Sequence, residues 1–326
     1  MQAAACLQHQ TGCDSLLIAV IFALLFDSCV CTGSNRIACF SLIPPMKVAV
    51  FSDVQANYPS LIEGIERILS ASPDLVVMNG DLINRGPRSL ECLDLFEEMR
   101  KNHGWIALRG NHEDFVWQCA QSEATESDPV ERDMQRFADW TCRQLGARIR
   151  AVESWLESYS FQAPNGGAAD VAAMHGSLVS NRTGIQPHTA EEDLEVRVPR
   201  DLAVFLTAHT HRPFIRQYGA CQIVNSGSVG SPFDGDPRGS YALLEYTGGC
   251  WRTEIVRFAY DRTQADRDYH HSGFLEQGGP LARLIYEEWK QAISLMPAWR
   301  KTYLKPVAAG DVSLQTAVDT YLSELR

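Results

Sequence analysis

Short apolar runs alternate with helix-like segments along the first part of the chain. Lys47–Ser52, Leu75–Met78 and Trp105–Leu108 are mostly apolar runs of strand length. The first two are separated by apolar residues at helical spacing, and a second helix is predicted around Ser89–Asn102. Strands that alternate with helices in this way are typical of α/β folds with parallel strands.

A long amphipathic segment interrupts this alternation. Its apolar residues recur at helical spacing and predict one or two long helices from Asp128 to Tyr159, and Asn165-Gly-Gly167 then breaks the pattern. The predicted apolar face consists of Phe137, Trp140, Leu145, Ile149, Val152, Trp155 and Leu156.

Strand-like runs return in the second half of the chain. A pair of longer runs around Gly248-Gly249 predicts an antiparallel hairpin that closes a sheet. The predicted strands are Val171–Met174, Leu202–Thr207, Gln222–Val224, Ser240–Tyr246 and Trp251–Tyr260.

Changes in sequence character predict three segments. Residues 1–45 form an N-terminal extension, residues 46–260 form the main domain, and residues 261–326 form a helical C-terminal appendage. Within this appendage, helices are predicted over Leu281–Leu295 and Leu314–Leu325.

The N-terminal extension contains a 12-residue apolar run, Ser15–Phe26. This run is too short to span a bilayer and has the length of a signal-peptide core, but no basic residue precedes it. Because Met46 opens directly onto a predicted strand, we expect translation to start there or the extension to be disordered. We therefore expect a cytoplasmic protein; the alternative is an exported protein with a genuine signal or lipid-anchor segment.

Composition narrows the classes of partner. The 326-residue chain is 45% hydrophobic and 21% charged, which is ordinary globular composition. Its formal net charge of −11 argues against binding to a nucleic-acid backbone. The ten cysteines are dispersed, without a CxxC pair, and this favours free thiols in a reducing compartment over a disulfide framework.

Polar, metal-competent side chains follow five of the predicted strands. A lone aspartate after a strand is often only a helix N-cap, but an ordered series of donors is a more specific signal. Open α/β sheets place ligands at the carboxyl ends of their strands, and paired divalent cations suit phosphoester hydrolysis. The donors are Asp53, Asp81, Asn111 with His112, His175, and His209 with His211.

This order of motifs resembles the calcineurin-like metallophosphoesterase superfamily. The matching pieces are Asp53-Val-Gln55, Gly80-Asp81, Gly110-Asn-His-Glu113, His175 and Ala208-His-Thr-His211. The resemblance covers about residues 46–260 and is strongest to the prokaryotic branch of protein-phosphatase-like and phosphodiesterase-like members. It implies a four-layer α/β/β/α sandwich of two mixed sheets, to which the helical appendage is added.

The resemblance also implies a role for each donor. Asp81 would bridge two divalent ions, with Mn²⁺ favoured and Fe, Zn, Ni or Co as alternatives, and a bridging hydroxide would attack phosphorus in line. His112 would protonate or stabilise the leaving oxygen, and Arg85 would bind phosphate. The remaining ligands would be Asp53, Gln55 and His211 for the first ion, and Asn111, His175 and His209 for the second.

Two positions depart from the pattern of the superfamily. Gln55 stands where the first metal motif normally has histidine, and a carboxamide is a weaker ligand than imidazole. Asn84 stands where protein phosphatases of this superfamily have an aspartate that pairs with the catalytic histidine. Asparagine can orient that ring but cannot stabilise an imidazolium by charge.

The sequence leaves three functional hypotheses open. The first is a metal-dependent hydrolase of a phosphomonoester or phosphodiester, acting on a small phosphoester or a phosphoprotein. The second is a nucleotide or dinucleoside-polyphosphate hydrolase. The third is a catalytically weak scaffold of the same fold, like the retromer subunit. A membrane partner is expected only if residues 1–45 are a genuine anchor.

Overall fold

The computed structural model of the protein describes residues 45–121, 128–164 and 170–325. The predicted N-terminal extension, apart from its last residue, lies outside the described residues, as does Asn165-Gly-Gly167. The described ranges contain two five-stranded sheets with helices packed against them.

The first sheet has the strand order β10-β9-β1-β2-β3. Its first three strands in chain order are parallel, and the last two form an antiparallel hairpin that pairs with β1. This confirms the predicted closing hairpin. The bounds are β1 Met46–Phe51, β2 Leu75–Asn79, β3 Ile106–Leu108, β9 Gly239–Thr247 and β10 Cys250–Phe258.

The second sheet has the strand order β4-β5-β6-β8-β7. Strands β5, β6 and β8 are parallel, and the two edge strands are antiparallel to their neighbours. The bounds are β4 Ser158–Phe161, β5 Val171–Met174, β6 Val204–Thr207, β7 Phe214–Tyr218 and β8 Cys221–Asn225.

Helices connect and cover the strands. Asn57 caps the N-terminus of the first helix by accepting a hydrogen bond from Ser60 N. In chain order the helices are α1 Tyr58–Ser70, α2 Ser89–His103, α3 Asn111–Gln121, α4 Pro129–Leu145, a 3₁₀ helix Gly146–Ser154, α5 Glu191–Arg197, α6 Arg262–His271, α7 Phe274–Gln277, α8 Pro280–Gln291, α9 Met296–Ala309 and α10 Leu314–Glu324.

Both faces of β1 are buried, which explains why it is an unbroken apolar run. Val48 and Val50 pack against the second sheet, whereas Ala49 and Phe51 pack against the helices on the other side. Full burial of a valine or phenylalanine stabilises the fold by roughly 1.5–3 kcal/mol relative to exposure. Because one apolar cluster contains buried residues of both sheets, the two sheets share one core, and the predicted four-layer α/β/β/α arrangement is confirmed.

The outer layers differ in thickness. Helices α1 and α2 cover the first sheet, whereas the short α5 covers the second through Leu194. The C-terminal helices form a separate apolar cluster with α4, in which Trp140, Phe274, Trp289 and Trp299 are buried. The predicted helical character of the C-terminal residues is confirmed, whereas the segment boundaries at residues 45 and 260 stay predictions.

The prediction of helix from Asp128 to Tyr159 is wrong at its C-terminal end. Helix α4 ends at Leu145 because Gly146 adopts a φ of 50°, a conformation that residues with a Cβ rarely take. A 3₁₀ helix follows as far as Ser154, and Tyr159 then pairs with β5 as part of β4. Leu156, predicted on the apolar face, is 45% exposed.

The prediction of helix over Leu281–Leu295 is also too long. Helix α8 ends at Gln291, and Ala292 has a left-handed φ of 56°. Within the described ranges, no helix is long and apolar enough to cross a bilayer. The cysteines of these ranges are free thiols, as expected, whereas the other predicted free cysteines lie outside them.

Candidate metal centre

The carboxyl ends of β1, β2, β3, β5 and β6 meet at one edge of the sandwich. Ligand atoms of Asp53, Asp81 and His211 lie within 4.8 Å of one another, as do those of Asp81, His175 and His209. Asp81 belongs to both clusters. The structure thus brings together donors that the sequence spreads over 159 residues, from Asp53 to His211.

Asn111 completes the second cluster. Its Oδ1 lies 3.2 Å from His175 Nε2 and 2.7 Å from His209 Nδ1. His175 Nε2 is also 3.2 Å from Asp81 Oδ2. One amide oxygen, one carboxylate oxygen and two imidazole nitrogens therefore converge around a single point.

Gln55 lies beside the first cluster. Its Nε2 donates to Asp81 Oδ2 at 3.1 Å, and its buried Oε1 has no hydrogen-bond partner. Asp53 Oδ1 also has no hydrogen-bond partner, although His211 Nε2 is only 3.1 Å away. All seven predicted metal ligands are thus close to one of the two clusters.

The Nδ1 partners of two histidine rings show which ring nitrogen faces the carboxylates. His175 Nδ1 lies 2.7 Å from Asn79 O and His211 Nδ1 lies 2.5 Å from Ser231 O, so each Nδ1 carries the proton and donates it to a carbonyl. Each Nε2 then faces a carboxylate oxygen, so a divalent ion bound between them would take the place of a proton on Nε2. A buried carboxylate beside an imidazole nitrogen needs a shared cation, and this mixture of N and O donors fits borderline divalent ions.

Several of these ligands have an unusual backbone conformation. Asp53, Gln55, Asp81, His209 and His211 have φ values between 51° and 67°. Residues in this left-handed region cost free energy and are concentrated at functional sites. Close packing adds a further constraint, because a Cβ at Gly110 would lie 2.1 Å from Asp81 Oδ1.

The cluster around Asp81 is held together by charge. Although burial opposes ionisation, the charge and hydrogen bond of His175 and the hydrogen bond from the backbone N–H of His112 hold the pKa of Asp81 far below its usual range. Burial lowers the pKa of His175, but Asp81 outweighs it and raises that pKa to about 10. Burial and the neighbouring His175 lower the pKa of His209 to about 4.

We expect Gln55→His to tighten metal binding at the first cluster. An imidazole nitrogen is a stronger ligand than the amide oxygen of Gln55, which has no hydrogen-bond partner. We expect a gain of about 10- to 100-fold in affinity, because substitutions around metal ligands typically change metal affinity by this factor. Titration of chelator-stripped protein with Mn²⁺ measures this change. Gln222→His is the matched control. Gln222 also has a buried Oε1 without a hydrogen-bond partner, but it lies near the N-terminal end of β8, whereas the metal ligands follow the C-terminal ends of strands. Equal affinity in both variants would place Gln55 outside the coordination shell.

His112 lies beside the clusters without joining them. Its Nε2 is 3.9 Å from Asp81 Oδ2, and its Nδ1 is 3.1 Å from Asn84 Nδ2. Thr141 Oγ1 donates to Asn84 Oδ1, which turns the amide nitrogen toward the ring. Asn84 therefore donates to Nδ1, and the neutral ring carries its proton on Nε2. Burial, opposed by Asp81, lowers the pKa of His112 to about 3.

Glu113 has a role that the sequence did not reveal. Its buried carboxylate accepts hydrogen bonds from the backbone N–H groups of Asp81 and Leu82 at 2.8 Å, of Ile83 at 3.2 Å and of Gly110 at 2.8 Å. Burial and the neighbouring Asp81 raise the pKa of this carboxyl to about 7. Glu113 thus ties the turn after β2 to the turn after β3.

The clusters open onto a cavity of about 610 Å³. Arg85 lines this cavity, and its guanidinium lies 5.9 Å from the centre of the Phe233 ring. Phe233 in turn stacks on His211 with ring centres 4.3 Å apart. No sequence pattern pointed to Phe233, because it follows a loop rather than a strand end. The cavity is lined by Asp81, Arg85, His112, Gly184, Gln186, His209, Thr210, His211, Arg212, Phe233, Glu288, Ser294, Met296, Pro297 and Ala298.

Part of the chain is similar in sequence to a curated protein. One segment is 27% identical over 129 residues to a symmetrical bis(5'-nucleosyl)-tetraphosphatase of Xanthomonas campestris pv. campestris. The match covers 36% of this chain and 39% of that protein, so the chain spans well under half the length of this curated relative.

Solved structures show the same fold at lower identity. A metallophosphoesterase from Sphaerobacter thermophilus superposes with a TM-score of 0.58 and 24% identity, over 77% of this chain and 100% of the other. A hypothetical protein from Pyrococcus horikoshii OT3 superposes with a TM-score of 0.60 and 17% identity, over 76% and 98% of the two chains.

The sequence model of one family matches residues 46–213, the stretch that contains all the ligand candidates described above. That stretch is more than half of the chain, and its strand ends carry the two donor clusters. The chain belongs to the calcineurin-like phosphoesterase family.

Proposed function

We propose that this phosphoesterase hydrolyses a small phosphomonoester or phosphodiester with two divalent ions. The observation that carries the proposal is the pair of donor clusters that share Asp81 and open onto one cavity with His112 and Arg85. The cavity volume of about 610 Å³ is that of a small-molecule pocket, which favours a small substrate over a phosphoprotein.

Each side chain has a distinct task in this proposal. Two bound cations would lower the pKa of water and neutralise charge on the phosphoryl oxygens. Arg85 binds phosphate oxygens, for which the guanidinium fork is suited. The Nε2–H of His112 donates a hydrogen bond to the leaving oxygen and stabilises its developing charge, and Asn84 keeps that hydrogen on the correct nitrogen.

The test is hydrolysis of a panel of aryl phosphomonoesters and phosphodiesters. Chelator-stripped protein would be assayed before and after reconstitution with Mn²⁺, Fe²⁺, Zn²⁺, Ni²⁺ or Co²⁺. We expect metal-dependent turnover, highest with Mn²⁺, because oxygen and imidazole donors dominate both clusters. Protein that takes up metal and cleaves none of the panel would favour the scaffold hypothesis instead.

A second candidate function is hydrolysis of a nucleotide or dinucleoside polyphosphate. Two observations favour it: the partial similarity to a bis(5'-nucleosyl)-tetraphosphatase, and a second guanidinium at the cavity. Arg212 Nε donates to Phe233 O at 3.0 Å, and in the described part of the chain no carboxylate forms an ion pair with it. An unpaired cation there suits a second phosphate group of the substrate.

Arg212→Gln separates the two candidates. For a nucleoside polyphosphate we expect kcat/KM to fall by about 10- to 100-fold, the loss of one charge-assisted hydrogen bond of roughly 1.5–3 kcal/mol. For an aryl phosphomonoester the effect should stay within about threefold, since only one phosphate is bound. Arg200→Gln, an exposed arginine at a different cavity, is the control. Equal losses on both substrates would remove the support that Arg212 gives to a polyphosphate substrate.

We also propose that the protein acts in the cytoplasm. The free thiols of the described cysteines support a reducing compartment. Fractionation of native cells with an antibody to the chain would test this, and recovery from the medium or periplasm would contradict it.

A further inference from the structure

A buried carboxylate of the C-terminal helices reaches the phosphoesterase site. Glu288 of α8 is only 1% exposed and accepts a hydrogen bond from Arg85 Nη2. The two residues are 203 positions apart in sequence. A buried carboxylate needs a charged partner, so this pair ties α8 to the cavity.

The other oxygen of Glu288 holds the turn after α8. Oε1 accepts from Leu295 N at 2.7 Å and from Met296 N at 2.8 Å. These amides stand at the N-terminus of α9, where helix geometry leaves N–H groups without partners. One carboxylate therefore fixes both Arg85 and the start of α9, and cavity-lining residues Ser294, Met296, Pro297 and Ala298 lie at that start.

The Glu288 contact leaves most of Arg85 free for a ligand. A guanidinium has five N–H donors, and the described contacts with Glu288 occupy only Nη2. The side chain is 17% exposed, faces the cavity and rests near the Phe233 ring. Its backbone is in the left-handed region, with a φ of 54°. Glu288 and Phe233 thus hold a flexible side chain in one orientation before any substrate arrives.

We propose that Glu288 is a positioning residue of the active site: it holds Arg85 in its phosphate-binding orientation and sets the wall formed by residues 294–298. The proposal rests on the proposed function, in which Arg85 binds phosphate. The C-terminal helices then form part of the catalytic unit, and their wall, rich in Met296, Pro297 and Ala298, packs against the organic group of the ester.

A second ion pair provides a matched comparison. Asp268 of α6 is 3% exposed and pairs with Arg88 Nη2 at 2.8 Å. Like the Glu288 pair, it joins a C-terminal helix to the loop between β2 and α2. Arg88 and Asp268 line a different cavity, which shares no lining residue with the cavity at the metal ligands. Loss of either pair removes one contact of a buried carboxylate, but of the two carboxylates only Glu288 pairs with Arg85, the proposed phosphate-binding residue.

The experiment compares Glu288→Gln with Asp268→Asn in the full chain. Each amide keeps the size of the carboxylate, and in Glu288→Gln the amide oxygen can still accept from the two backbone N–H groups. The amide nitrogen of that variant then faces Arg85 Nη2, donor to donor, so the guanidinium turns away. We expect kcat/KM on an aryl phosphate to fall by about 10- to 100-fold, the usual loss for a displacement of about 1 Å. Asp268→Asn should change it by less than about threefold, while both variants melt at a lower temperature.

A double-mutant cycle separates positioning from general stability. In an Arg85→Ala background, Glu288→Gln should cause no further loss of kcat/KM, because its effect passes through Arg85. Glu288→Asp provides a second variant if the glutamine variant does not fold; it keeps the charge but withdraws it by one methylene, and it should also lower kcat/KM. Glu288 variants with the activity of Asp268→Asn, or losses that add to that of Arg85→Ala, would overturn the proposal.

Binding of inorganic phosphate gives a readout that needs no turnover. In metal-loaded protein, Glu288→Gln should weaken binding of phosphate at least about tenfold, whereas Asp268→Asn should not. If the wild-type chain hydrolyses no ester, the proposed function fails, and this titration still decides the role of Glu288. Unchanged or tighter phosphate binding in Glu288→Gln would show that the residue only neutralises Arg85.

Discussion

Asp81→Asn is expected to abolish turnover, with a loss of at least about 10³-fold in kcat. Asp81 belongs to both donor clusters, and its buried carboxylate is kept ionised by His175 and by the backbone N–H of His112. An amide of the same shape offers one oxygen and no charge, so it cannot serve two cations at once. Loss of several kcal/mol of metal-derived charge stabilisation gives a factor of this size.

The matched control for this variant is Asp133→Asn. Asp133 is 2% exposed and accepts a hydrogen bond from Leu281 N at 2.8 Å, so it resembles Asp81 in burial but contacts the N-terminus of α8. Metal content after reconstitution, measured by mass spectrometry of the ions, should drop in Asp81→Asn and stay at the wild-type value in Asp133→Asn. A near-normal rate in Asp81→Asn would refute the assignment of both clusters.

His112→Ala is expected to lower kcat by about 10²- to 10⁴-fold while metal content stays unchanged. This range covers the removal of a proton-transfer group or of a hydrogen-bond donor to a developing oxyanion. His112 belongs to neither donor cluster, and its Nε2 carries the proton that faces the cavity. Its loss should therefore affect the departure of the leaving group and leave the cations in place.

The leaving group itself provides a sharper measurement. An ester with an acidic phenol as leaving group needs little stabilisation from a hydrogen-bond donor, so it should lose much less activity in His112→Ala than an alkyl ester does. His271→Ala, at an exposed histidine, should behave as wild type with both esters. Equal losses on the two esters, or a metal content as low as in Asp81→Asn, would show that His112 is a structural or metal-binding residue.

Much of the site could be predicted from local sequence because each ligand directly follows an apolar strand. Asp53 follows β1, Asp81 follows β2 and Asn111 follows β3, and parallel strands bring their carboxyl ends to one edge. The second sheet repeats the arrangement with His175 after β5 and His209 after β6. The order of donors along the chain was therefore sufficient to predict that they meet.

Contacts between distant elements could not be predicted in this way. Glu288 lies on a helix whose apolar periodicity was evident, but periodicity does not indicate which neighbour a buried carboxylate will meet. The helix predicted as far as Tyr159 failed for a related reason. Helical spacing continued beyond Gly146, whereas pairing of β4 with β5 decided the conformation of Tyr159. In both cases the outcome depended on tertiary contacts, which the local pattern does not encode.

The left-handed backbone at the ligand positions limits which residues evolution or design can place there. Aspartate, asparagine and histidine enter that region more readily than other side chains with a Cβ, and β-branched residues are almost excluded from it. Exchange of Asp53 or Asp81 for asparagine therefore preserves the loop and removes only charge, whereas valine or threonine would distort the loop as well. A natural lineage that loses catalysis should first show asparagine at these positions, and its fold should survive the change.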